Sequence, residues 1–159
     1  MSAADPAETI DGGESVSRLV DDPRTYTVEK GLIWETLFQF PHSQHESVVW
    51  RRYAPDDLDV HAIGCERERS RRGNPDRSPQ RYAGFITAKV CTICAIRNVR
   101  GHGFRVDHLP AEGLHHAGIS YAPVPGGSLN KNDKTELKVY LWQAFKAFGP
   151  MTPCQCDDT

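Results

Sequence analysis

Cys91-Thr92-Ile93-Cys94 places two thiols two residues apart, and Cys154-Gln155-Cys156 places two more near the far end of the chain. Thiolates at the first spacing can both reach one ion, and zinc takes four such ligands tetrahedrally. Cys91, Cys94, Cys154 and Cys156 are therefore the expected ligands of a structural zinc that staples the end of the chain to its core. The same residues fit two other chemistries. Cys91 and Cys94 have the spacing of a dithiol that oxidises reversibly. With Val90, Ile93 and Ile96 around them, they also suit a buried segment in which cysteines act as small apolar side chains. Cys65 makes the count odd, which weakens a framework built only of disulfides.

Histidine gives a second candidate. His102, His108, His115 and His116 fall within a fifteen-residue stretch, interleaved with Asp107 and Glu112. Imidazoles and carboxylates at that density suit metal binding or acid–base work, or simply a half-exposed hairpin. On a strand, His108 shares a face with Val106 and Asp107 points the other way. Cys91-x-x-Cys94, then Val106-Asp107-His108-Leu109-Pro110, then Gly126-Gly127, then Asn130 and Asn132 before a helix, resembles the HNH (ββα-metal) nuclease pattern. The resemblance covers about sixty residues of the chain's 159. It implies that His108 is the general base that activates water and Asp107 a ligand of the catalytic metal, with Asn130 or Asn132 in the central position. The chain departs from the pattern in two places. Its second cysteine pair follows the last helix, and no histidine occurs between Asn130 and Gly149.

A third candidate is electrostatic. Six arginines occur from Arg67 to Arg81, among them Arg67, Arg69, Arg71 and Arg72. Such a run is either a solvated helix face or a contact for a phosphate-bearing or acidic protein partner. The net charge of −2 argues in bulk for neither a nucleic-acid binder nor an enzyme of acidic substrates. There is no phosphate-cradling glycine loop and no Gly-x-Ser-x-Gly elbow.

These residues need a scaffold. A chain of 159 residues, 38% hydrophobic, supports one compact core. Residues 1–30 hold seven acidic and three basic side chains and few large apolar ones, so a flexible acidic tail is expected there. A single domain is expected over residues 31–150, with a cysteine-containing tail over 151–159. Residues 32–40 form a strand or short helix, and residues 46–53 a strand. A helix is expected from about Asp56 to Arg72, with Gly64 weakening its middle by about 1 kcal/mol. Strands follow over residues 81–90, 92–99, 104–109 and 116–121, the last two paired around Pro110–Gly113. Asp133 and Glu136 have capping-box spacing, and Leu137, Leu141, Ala144, Phe145 and Phe148 recur at helical steps up to Gly149-Pro150.

The expected fold is α+β, a largely antiparallel sheet with two or three helices, the last of them amphipathic. No stretch has the roughly 20 apolar residues of a membrane span. The acidic start lacks the pattern of a secretory signal, so a cytoplasmic location with reduced thiols is expected. The sequence reads best as a small binding or accessory protein with a structural zinc. A nuclease centred on His108 and a thiol redox protein are the alternatives.

Overall fold

Val16, Leu19 and Val20 lie among polar neighbours in a strand, β1 (Ser15–Asp22), that is hydrogen-bonded on both sides. The computed structural model of the protein describes residues 6–22, 25–27, 29–32, 37–40, 45–72 and 81–155. Tyr26–Thr27 (β2) and Gly31–Leu32 (β3) make a small antiparallel pair. The longer strands are β4 (His45–Trp50), β5 (Arg81–Lys89), β6 (Gly103–His108) and β7 (His116–Ala122), followed by a two-residue strand β8 (Thr152–Pro153). Together with β1 they form one antiparallel sheet in the order β6-β7-β4-β1-β5-β8. Among the described residues three helices accompany it: α1 (Asp57–Arg72), α2 (Val90–Cys94) and α3 (Lys131–Phe148). The class is α+β, as the sequence indicated. Among the described residues no helix is long and apolar enough to cross a membrane.

The two-residue period of a strand sends alternate side chains to opposite faces. Val16 and Val20 of β1, Val48 and Trp50 of β4, and Ile86 and Ala88 of β5 join Leu137, Leu141 and Phe145 of α3 in the larger core. Leu19, Val49 and Phe85 face the other way and pack with Val60 and Cys65 of α1. Gly64 is the reason α1 can lie so close. A Cβ there would meet the Tyr82 ring at 2.5 Å, so the residue that weakens the helix locally is required by its packing.

Several sequence expectations are corrected. Residues 6–22 are not a flexible tail. They include β1, the central strand, which pairs with β5 from Ser15 to Asp22. Its acidic and small neighbours conceal a short apolar alternation that only the partner strands make stable. Residues 92–99 are not a strand, because α2 turns the chain immediately after β5. The capping box of α3 is real but sits one turn earlier: the Asn130 side chain accepts from the Asp133 N–H, and the Asp133 side chain accepts from the Asn130 N–H. Within the cysteine-containing tail, β8 attaches to the sheet by pairing with β5. Residues 33–36, 41–44, 73–80 and Cys156 lie outside the described residues.

Candidate functional site

β1 and β4 pair only at Val16–Trp50 and Ser17–Val49 and then diverge. The residues beyond that point have strand backbone groups with no ladder partner between them, and charged side chains take up the space. Arg18, inward by its parity with Val16 and Val20, donates to the Leu37 carbonyl at 3.1 Å and pairs with Glu46 at 3.4 Å. Glu46, 4% exposed, accepts the backbone N–H groups of Gln39 and Phe40. A buried carboxylate persists only with such a shell of donors and a counter-charge.

A cleft of about 450 Å³ opens beside this pair, against α1. Asp21, 6% exposed, lies under Arg67 and Arg71, accepting from Arg67 through Oδ1 and from Arg71 through Oδ2 at 3.2 Å. Burial lowers the pKa of Arg67, and Asp21 opposes that shift. Ser47 and His116 reach the cleft from β4 and β7, while Leu19, Val49 and Ile63 give it an apolar floor. Three guanidinium groups, those of Arg18, Arg67 and Arg71, stand against the two carboxylates of Asp21 and Glu46.

The arginine run is thus divided by structure. Arg67 and Arg71 line the cleft, one helical turn apart. Arg69 pairs with Glu66 at 3.2 Å on the exposed side of α1, a local helix contact worth about 0.3–0.5 kcal/mol. The exposed Arg72 reaches the buried Glu68 at 2.7 Å, and the other Glu68 oxygen accepts the Tyr82 N–H at 3.0 Å.

The histidine candidate has a different fate. His108 is buried between Trp50, 4.8 Å between centroids, and Tyr53, at 6.0 Å. Its Nδ1 accepts from the Glu8 N–H at 3.0 Å, so the ring proton sits on Nε2 and is donated to the Leu114 carbonyl at 2.9 Å. Both nitrogens are committed to backbone groups, and no lone pair is left to take a proton from water. Asp107 is exposed on the opposite side of β6, paired with Arg105 at 3.0 Å. Asn130 is the cap of α3. The HNH-like arrangement of His108, Asp107 and Asn130 is therefore not assembled as a catalytic group. His102 is likewise internal, with Nδ1 accepting from the Val124 N–H at 3.1 Å and Nε2 3.8 Å from Asp133.

The cysteines are also separated. Cys91 and Cys94 follow the end of β5 on the single turn of α2. The Cys154 N–H donates to the Ala83 carbonyl at 2.8 Å, near the start of β5. Six strand steps from Ala83 to Lys89 span about 20 Å, whereas two thiolates on one zinc lie no more than about 4.6 Å apart. Cys154 does not meet Cys91 and Cys94, and the four-thiolate set is not brought together. Among the described residues no group of three or more His, Cys, Asp or Glu side chains is placed to hold a metal. Cys91, Cys94 and Cys154 form no disulfide, whereas Cys65 is disulfide-bonded. Burial raises the pKa of Cys94, the reverse of what a reactive dithiol requires.

Sequence reasoning missed Asp21 and Glu46, the residues that organise the cleft. A signal for Glu46 exists: in His45-Glu46-Ser47-Val48-Val49-Trp50 it shares parity with Val48 and Trp50 and must point inward. No family model matches this chain, and neither a curated protein nor a solved structure matches it.

Proposed function

We propose that the protein is a binding module that takes an acidic group of a protein partner into the cleft between α1 and the diverging strands β1 and β4. The observation that carries this reading is the sharing of one buried carboxylate, Asp21, by Arg67 and Arg71 in a recess with an apolar floor. A partner carboxylate can compete for donors already oriented by Asp21, and its apolar stem can rest on Leu19, Val49 and Ile63. The nuclease alternative has less support, because His108 lacks a free lone pair. The redox alternative has less because Cys94 is held towards its protonated form. A zinc staple forms no part of the proposal. The lack of a disulfide at Cys91, Cys94 and Cys154 favours a cytoplasmic location, and the bonded Cys65 runs against it.

Fluorescence anisotropy with a labelled Asp/Glu-rich peptide and its Asn/Gln counterpart tests the reading. The acidic peptide should bind, weaken as salt is added, and lose about tenfold or more in affinity with Arg67→Gln/Arg71→Gln. Equal binding of the neutral peptide, or no change in the variant, would overturn it. Metal-dependent DNA cleavage that disappears with His108→Ala would instead establish the nuclease reading.

A further inference from the structure

A second cavity, of about 610 Å³, adjoins the arginine cleft and shares Gln39 with it. Its size lies within the range of small-molecule sites. Phe40, Tyr121, Lys134 and Lys138 all line it. We propose that this cavity binds a small aromatic phosphate of the mononucleotide class, with the ring against Phe40 and Tyr121 and the phosphate on Lys134 and Lys138.

Four observations converge on that class. Lys134 and Lys138 are one turn apart on α3, and neither makes an ion pair among the described residues. Ammonium groups act as point charges and suit a phosphate dianion. Of the other polar groups in the cavity, Arg105 pairs with Asp107 at 3.0 Å, and His45 Nε2 lies 3.6 Å from Glu112. Phe40 stacks on Tyr121 at 4.2 Å, and Phe104 backs both rings at 5.9 and 5.5 Å, which makes an aromatic wall.

The remaining two observations concern unmet cost. The Tyr121 hydroxyl is buried with no hydrogen-bond partner among the described residues. Burial also raises its pKa, with the charge of Glu46 adding to the shift, so it stays a neutral donor. A ligand acceptor reaching it would supply the missing hydrogen bond. Phe40 has φ of 46°, the left-handed region that a bulky side chain rarely occupies. Its N–H is fixed by Glu46 at 2.6 Å, so the surroundings impose the conformation. Backbone held this way is concentrated at ligand clamps.

Calorimetric titration at low salt with phenyl phosphate, AMP and UMP tests the proposal, with adenosine and inorganic phosphate as the two halves. The aromatic phosphates should bind at least about tenfold tighter than either half. Lys134→Ala/Lys138→Ala should weaken them about tenfold, and Tyr121→Phe several-fold without lowering the thermal midpoint. Arg67→Gln/Arg71→Gln should leave this binding unchanged, which keeps it separate from the acidic-partner cleft. No binding of the three aromatic phosphates at millimolar concentration would overturn the proposal. Phosphate alone binding as tightly, or affinity lost in the arginine variant and kept in the lysine variant, would overturn it equally.

Discussion

Two groups of buried polar side chains differ in how far they are satisfied. Around Asp133 the accounts of donors and acceptors nearly close. Its carboxylate accepts from the Asn130 N–H at 3.0 Å, Asn98 Nδ2 at 2.9 Å and Arg100 Nη1 at 2.7 Å, and only the neighbouring His102 Nε2, 3.8 Å away, lacks a hydrogen bond among the described residues. Around Glu46 they do not close. The same carboxylate bonds the N–H of Phe40, which has a left-handed conformation, the Tyr121 hydroxyl has no partner among the described residues, and two cavities share Gln39. Satisfied networks fix architecture, while unmet groups at a cavity mark where something else is meant to bind. The histidines looked like chemistry in the sequence and turn out to be architecture. The better candidates for binding are a phenylalanine, a tyrosine and two ordinary lysines.

Variants can break or sharpen this contrast. The largest effect is expected from Glu46→Ala. It removes a carboxylate paired with Arg18 and leaves the N–H groups of Gln39 and Phe40 without their acceptor, and loss of one partner of a buried pair costs about 3–5 kcal/mol. Urea denaturation should show the loss, and a change within about 0.5 kcal/mol would mean that Glu46 is not the organiser of the cleft.

Asp133→Ala should have the next effect, and a pH dependence identifies it. Hydrogen bonding from the Asn130 N–H, with Asn98, Arg100 and His102 adding, lowers the pKa of Asp133 from its ordinary 3.8. Its contribution is therefore fully present above that value and is lost as pH falls below it through the lowered folded value. The urea midpoint of the wild type should fall over that interval more steeply than that of the variant. Parallel curves would show that the Asp133 network is less closed than its geometry indicates.

The smallest effect on stability is expected from Cys91→Ser/Cys94→Ser, since Cys91 is exposed and Cys94 only half-buried. Peptide mapping after alkylation without reductant should mark Cys91, Cys94 and Cys154 but not Cys65, which becomes labelled only after reduction. Zinc at about one per chain by elemental analysis, lost with this variant, would restore a metal role for the pair.

Much of the scaffold was legible because its elements are long and locally consistent. Of the expected stripe, Leu137, Leu141, Ala144 and Phe145 are buried and Phe148, in the last turn, is exposed, and β6 and β7 pair around the turn at Pro110–Glu112. β1 was illegible for a physical reason: its stability comes from two partners distant in sequence, while its own composition resembles a solvated tail. That omission hid the cleft as well. Once Val16 and Val20 point inward, Arg18 must also, and an inward arginine on one strand calls for the inward Glu46 on the next. The cysteine spacing misled because nothing in it records that a nine-residue strand separates Cys154 from Cys91.

The central position of β1 has a consequence for how the chain assembles during synthesis. The strand is made early, yet one of its two neighbours is β5, whose Thr87 bonds Ser17 across a sequence separation of 70. Until β5 emerges, the nascent chain carries an apolar strand with at least one open edge. Such edges recruit other strands, and contacts this distant form slowly. Ser15–Asp22 is therefore the segment most in need of protection while the chain is incomplete, and a deletion that removes it takes away the middle of the sheet.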